Sequence, residues 1–387
     1  MVRHCVNDTP PSERLAVTGL EEWSQLCSTA YVPLEVSATP DFRGALRSRE
    51  RGPLSLSQVG ATPSTVQRTS RLVTTDPREA LLFAVFLRGR GVISQHGHAE
   101  PVRAGGGYVL QTDQPYGLRL TSDNELLILR VPAELTGLDP DALPTIAGRV
   151  LPPGTAEIEV LARELATALL ADESTPAAAG PELLLDLLRA VTHRTRYGER
   201  SRPYLSGPAL WASARWYLER HHTDPRLNLD DVAARFMVSR RHLEQQFVRH
   251  GSGPATYLRN VRRERAAHLL LADRSTTVAR VARSAGFADV DTFIRAFRRH
   301  HGQTPAEWRR HQPMTPSGNA RATRLPSRTP AMLSDLRRWT RPADAPFLAP
   351  PGHEKRSTPT SEPWRGTTPA GPGHVMKGDG PGTRCSR

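Results

Sequence analysis

From Leu54 to Pro132 apolar and polar residues alternate in short runs broken by glycine and proline: 65–73, 80–87, 89–98, 105–111, 116–120 and 125–131. A period of two predicts strands, and the turn residues between them predict an antiparallel sandwich or small barrel. A closed shell of that size holds one small ligand. After Pro153 the period lengthens. Ile158, Leu161, Leu165 and Leu169 recur at helical spacing behind Thr155, a candidate N-cap. A break from Ser174 to Pro181 then precedes a second helix from Glu182 to Val191. The pair fits a dimer interface, an interdomain strut or an ordinary core hairpin.

Beyond residue 200 one pattern is written twice, from Val232 to Phe247 and from Val281 to Phe297. Each copy has Val-Ala, a short turn, and a basic helix that carries an apolar residue four places before a closing phenylalanine. Seven helices are predicted between Pro208 and Arg310. Asn228 or Asp230 caps the support helix of the first copy, and Ser239 caps the helix after it. Leu243 and Phe247 share the inner face of that helix, which turns Arg240, Arg241, Glu244 and Gln245 outward. In the second copy Gly286 supplies the turn, Phe293 and Phe297 face inward, and Val290, Asp291, Thr292, Ile294 and Arg295 are placed on the outer, reading side. Between the copies lies a helix from Pro254 to Ala272, about 28 Å long at 1.5 Å per residue. Two helix-turn-helix units on such a rod suit successive major grooves, which recur about every 34 Å.

Charge sharpens this. Residues 1–200 sum to −4, residues 201–312 to +10 and residues 313–387 to +7. The half that holds the repeat is the basic one, which points to a polyanion. Arginine pairs bidentately with guanine, glutamine pairs with adenine, and glutamate accepts from cytosine, so Arg241, Gln245, Glu244 and Arg295 suit base edges. Arg262, Arg263, Arg298 and Arg299 suit phosphates, where any cation serves. Cys5, Cys27 and Cys385 are too scattered for a disulfide framework or a zinc site, which fits a reducing cytoplasm. The apolar run Leu81–Leu87 is far short of a membrane span, and no secretory stretch follows Met1.

These motifs carry a resemblance. The segment from Leu210 to Arg310 resembles the DNA-binding domain of AraC/XylS-type bacterial transcription regulators. The matches are Arg262-x-x-Arg-Ala-Ala-His-Leu-Leu270, the run Val281–Arg299, and His301-Gly-Gln-Thr-Pro-Ala-Glu-Trp-Arg309. Phe236-Met237 departs from the pattern, because glycine is often found in that turn. Residues from about Glu22 to Pro132 resemble the sensing domain that precedes this module in one branch of the family, through Glu22-Trp23, Phe42–Leu46, Leu54–Gly60, Arg68, 89–98 and 114–120. The resemblance implies a cupin-like β-domain that takes an effector, a promoter or operator in double-stranded DNA, and RNA polymerase as a partner. It also implies activation rather than repression.

His96-Gly97-His98 with Glu100 has the residue types of a metal set, since metal-dependent cupin enzymes ligate through His-x-His and a following Glu. Glu100 follows too closely, Gly97 marks a hairpin turn, and no later histidine reaches the sheet, so no metal or other cofactor is expected. No serine sits in a G-x-S-x-G setting and no phosphate loop is present. Trp23, Phe83, Phe86, Tyr108 and Tyr116 are candidates for lining a pocket, although aromatic residues serve cores more often. The expected fold class is α+β multidomain. It comprises a cupin-like domain over 1–153, a helical dimerisation or linker region over 154–200, and an all-α tandem helix-turn-helix domain over 205–312. A Pro- and Arg-rich tail over 313–387 is expected to be disordered, with a transient helix near Met332–Trp339. The expected function is regulation of transcription in response to a small molecule, without enzymatic activity. A ligand-independent regulator whose β-domain dimerises or meets another protein, and a catalytic cupin tethered to DNA, are the alternatives.

Overall fold

The computed structural model describes residues 14–171, 180–198, 201 and 203–311. The expected tail over 313–387, its helix near Met332–Trp339, and Cys5 and Cys385 lie outside the described residues. The amino-terminal elements are β1 (Arg14–Val17), α1 (Leu20–Ala30), β2 (Glu35–Ala38), β3 (Gly44–Arg51), β4 (Leu54–Ala61), β5 (Ser64–Arg68), α2 (Ser70–Thr75), β6 (Ala80–Arg88), β7 (Arg90–Gln95), β8 (His98–Arg103), β9 (Gly107–Gln111), β10 (Tyr116–Leu120) and β11 (Asn124–Pro132). Two short helices, α3 (Ala133–Thr136) and α4 (Leu143–Ile146), and the strand β12 (Val150–Leu151) close the domain. The strands form a seven-stranded sheet in the order β1-β3-β4-β11-β6-β9-β12 and a five-stranded sheet in the order β2-β5-β10-β7-β8. Every strand pair is antiparallel.

The run 80–87 is apolar at every position because both faces of its strand are covered. Leu81, Phe83, Val85 and Leu87 point outward to a helical layer. Leu82, Ala84 and Phe86 point inward between the sheets. The helical layer is α5 (Ala156–Leu170) and α6 (Pro181–Tyr197). Helix α5 is buried on nearly every side, including Arg163 and Glu164. Its N-cap residue, Thr155, makes no capping bond; its hydroxyl donates to the Pro152 carbonyl instead.

The stretch 65–73, expected as one strand, breaks after Arg68. The buried Arg68 guanidinium donates to the carbonyls of Thr112, Pro33 and Asp76, which folds the chain back, and Ser70–Thr75 takes up a helical turn. At His96 and Gly97 the chain makes the expected hairpin turn, with positive φ at both residues (51° and 75°). Glu100 accepts from Arg149 and from the Val150 amide. Among the described residues no three His, Cys, Asp or Glu side chains come together to hold a metal.

Between the sheets lies a cavity of about 80 Å³. Trp23, Tyr108 and Tyr116, three of the five aromatic candidates, line it, although core packing was the commoner expectation for each. Phe83 does not, since it faces α5, and Phe86 packs in the inner core away from the lining.

Candidate nucleic-acid interface

The carboxy-terminal domain has the seven helices expected: α7 (Gly207–His221), α8 (Leu229–Arg235), α9 (Arg240–Arg249), α10 (Pro254–Ala272), α11 (Val278–Ser284), α12 (Val290–His301) and α13 (Pro305–His311). Each helix-turn-helix unit is built with the same chemistry. Asn228 and Ser239 accept from backbone amides at the starts of α8 and α9, and Thr277 and Asp289 do the same for α11 and α12. The inner faces close on separate cores, one around Leu243 and Phe247, the other around Phe293 and Phe297.

The turns differ at equivalent positions. Gly286 sits at φ 88°, and a methyl group there would lie 2.0 Å from the His222 carbonyl oxygen, so only glycine fits. In the first unit Met237 holds the same left-handed conformation at φ 54°, with its side chain in solvent. The first turn therefore has the geometry of the second without the glycine.

On α9, Arg241 and Gln245 are exposed. Arg240 is exposed but engaged, donating to Glu244 at 3.0 Å and to Asp230 at 3.1 Å. On α12, Asp291, Thr292, Arg295, Arg298 and Arg299 are exposed. Val290 and Ile294 are not fully outward as expected: both are half-buried against the core of the second unit, because the apolar stripe of α12 is wider than its two phenylalanines. Arg262 also departs from expectation. Its guanidinium donates to the carbonyls of His222 and Asp224 at 2.8 and 2.7 Å, so it ties α10 to the end of α7 instead of standing free for a phosphate. Arg263 is half-buried and donates to Asn260. Behind them His301 packs on Phe297 and Trp308. Burial, aided by His300 and Arg263, pushes its pKa down to about 4.

A buried charge network links this domain to α5. Arg163 of α5 donates to both oxygens of Glu219 on α7, at 2.5 and 3.1 Å. Glu164 of α5 accepts from Arg215 of α7, and the four side chains are at most 7% exposed. Desolvation opposes the charge on both arginines; facing Glu219 outweighs it at Arg163 and raises the pKa, whereas at Arg215 burial prevails and lowers it. The Tyr257 hydroxyl of α10 donates to Glu219. The Arg215 guanidinium lies 4.2 Å over Trp211, whose ring stacks on His250 at the end of α9 at 4.0 Å. The sequence reading did not single out these charged positions; the signal was a helix, α5, apolar nearly all round with two charges embedded in it.

A β-domain with an apolar cavity between its sheets, strapped by helices to two capped helix-turn-helix units, defines a regulator of transcription. The chain matches the family described as AraC-binding-like domain over residues 23–194 and the helix-turn-helix domain family over residues 232–311. It belongs to the AraC/XylS family of bacterial transcription regulators. It is 25% identical over 307 residues to the transcriptional activator NphR of Rhodococcus sp, covering 76% of this chain and 89% of that protein. It is 37% identical over 94 residues to the HTH-type transcriptional activator RhaS of Escherichia fergusonii, covering 24% of this chain and 33% of that protein. Among solved structures it is similar to the AraC-like transcriptional activator CuxR, at 18% identity and a TM-score of 0.40, covering 73% of this chain and 99% of that one. Among the described residues no helix is long and apolar enough to cross a membrane.

Proposed function

We propose that this chain is a sequence-specific activator of transcription that binds promoter DNA through both helix-turn-helix units and answers to a small molecule held between its sheets. The observation that carries the DNA reading is the pair of capped helices, α9 and α12, joined by the 19-residue α10. Their exposed rows offer base edges Arg241, Gln245 and Glu244 on one side, and Arg295, Thr292 and Asp291 on the other. Arg240, held by two carboxylates, serves as a reader only by giving up those bonds. Arg298 and Arg299 supply phosphate contacts, and the half-buried Val290 and Ile294 contribute at most an apolar edge to a thymine methyl. Activation is supported by the likeness to the activators NphR and RhaS, and it requires a contact with RNA polymerase.

The link between the two functions is physical. Leu82 and Ala84 of β6 border the cavity, and the alternating Phe83 and Val85 press on the layer that contains α5. Helix α5 in turn meets α7 through the buried charges. An effector that shifts β6 has a packed route to α9, and the coupling free energy must be reciprocal between effector and DNA.

Selection of duplexes from a random pool by the full chain, followed by footprinting, tests the reading. Two protected major-groove segments about one helical turn apart are expected. Arg241→Ala and Arg295→Ala should each weaken the selected site by about 1–3 kcal/mol and relax one position. Uniform binding of all duplexes, or no change in the double variant, contradicts it.

A further inference from the structure

The cavity between the sheets has a specific chemistry. No charged side chain lines it. Its ionisable members stay neutral at pH 7: burial raises Cys27 to about 12 and moves Tyr31, Tyr108 and Tyr116 upward. The Tyr31 hydroxyl is already bonded to Ser57. Two lining groups are left without partners although buried, the Ser64 hydroxyl and the Asn124 side-chain carbonyl oxygen. The amide nitrogen of Asn124 is spoken for by the carbonyls of Ala61 and Ser122, so its orientation is set and its oxygen is the free end. The strand register puts Asn124 opposite Ala61 and Ser64 opposite Leu120, so both orphans sit at one end of the sheets.

A buried polar atom without a partner is costly, and two beside one apolar cavity call for a partner. The acceptor of Asn124 requires a donor. Apart from these groups and the neutral hydroxyls of Tyr31, Tyr108 and Tyr116, the wall offers hydrocarbon, aromatic rings and a thiol, where an ion would lose its hydration with no counter-charge. In volume, about 80 Å³ is roughly half of an apolar cavity that accepts benzene, so the occupant is compact.

We propose that the β-domain takes a small uncharged hydrocarbon with one hydroxyl, an alcohol or phenol of at most a single ring, whose hydroxyl donates to Asn124 Oδ1 and accepts from Ser64 Oγ. The proposal rests on the reading of this domain as the effector site and names the chemical class of the effector. Ring-sized members enter with a small displacement of the Tyr31 or Tyr116 ring. Carboxylates, ammonium compounds and phosphates are excluded because each brings a charge to a wall without a counter-charge, and sugars because each brings several polar groups to a small, mainly apolar space.

Calorimetric titration of the full chain with cyclopentanol, phenol, fluorobenzene, benzoate and benzylamine tests this. The two hydroxyl compounds should bind saturably. Fluorobenzene, a near isostere of phenol without the donor, should bind at least tenfold more weakly, and the two ions not at all. Ser64→Ala removes an unsatisfied hydroxyl and no intramolecular bond, so the variant folds and its preference for phenol over fluorobenzene should shrink several-fold. Ala84→Leu, which fills the cavity, should abolish binding; Ala61→Val is the milder replacement should it fail to fold. Equal binding of fluorobenzene and phenol, or saturable binding of benzoate or benzylamine, overturns the chemical class while leaving a sensing domain. If none of the five binds and the cavity-filled variant holds its selected DNA with wild-type affinity in cell extract and in buffer alike, the class and the sensing role fall together.

Discussion

Replacing Glu219 by glutamine keeps its shape but leaves Arg163 charged among apolar side chains of α5. The pair is bidentate and almost wholly removed from water, with side chains 3% and 7% exposed, so solvent screening is slight. Breaking one member of such a pair costs about 3–5 kcal/mol, because the remaining charge loses its compensation. Glu164 faces Arg163 as well and softens this loss, which places the expected cost of Glu219→Gln near the lower end, about 3 kcal/mol. Removing both charges by Arg163→Met with Glu219→Leu restores a matched apolar contact and should return stability to within about 1 kcal/mol of the parent. A double-mutant cycle read by urea unfolding of the full chain, with separate probes for the two domains, isolates the coupling. The double variant should also answer less to effector at its selected DNA, since one of the two buried charge pairs that join α5 to α7 is gone. Additive single effects, or single costs below about 1 kcal/mol, refute the idea that this contact binds α5 to α7.

Helix α10 was legible to the residue, Pro254 to Ala272, because proline marks its first turn and its apolar positions keep period. The repeat was legible for a related reason: Phe247, Phe293 and Phe297 fill small cores made within one stretch of chain, so local spacing contains the packing. The charge network was not, because Arg163 and Glu164 meet partners more than fifty residues away, and an isolated arginine in a helix looks like a solvated one. Arg262 was misread on the same ground. A guanidinium in a basic helix has the same letters whether it meets a phosphate or the carbonyls of His222 and Asp224; only tertiary structure tells them apart. The strand break at Arg68 has the same origin, since its three carbonyl acceptors come from three other segments. Val290 and Ile294 were closer to hand: four apart and flanking Phe293, they widen the apolar stripe of α12 in plain view.

Arg262→Ala should destabilise the DNA-binding domain by about 2 kcal/mol in thermal unfolding, since two charge-assisted bonds to carbonyls are lost. Arg298→Ala should leave stability unchanged but lower the salt slope of DNA binding by about one. For pH, His301 stays neutral in the folded chain down to about 4, whereas the unfolded chain protonates near 6.5. Between those values the unfolded state binds more protons, so stability falls as pH drops through that window, and His301→Gln should flatten that part of the urea-midpoint profile. Substitution at the two equivalent turn positions should have opposite outcomes. Gly286→Ala forces a methyl group onto the His222 carbonyl at 2.0 Å in a left-handed conformation, and should cost at least about 2 kcal/mol. Met237→Gly meets no such wall: its side chain is 64% exposed, so little packing is lost while the left-handed strain of φ 54° is relieved. That relief, about 1–2 kcal/mol, exceeds the extra entropy of a flexible glycine, about 0.5–1 kcal/mol, and the variant should melt slightly higher than the parent. A lower melting temperature for Met237→Gly means the methionine side chain makes a stabilising contact in the first turn, and the equivalence of the two turns then fails.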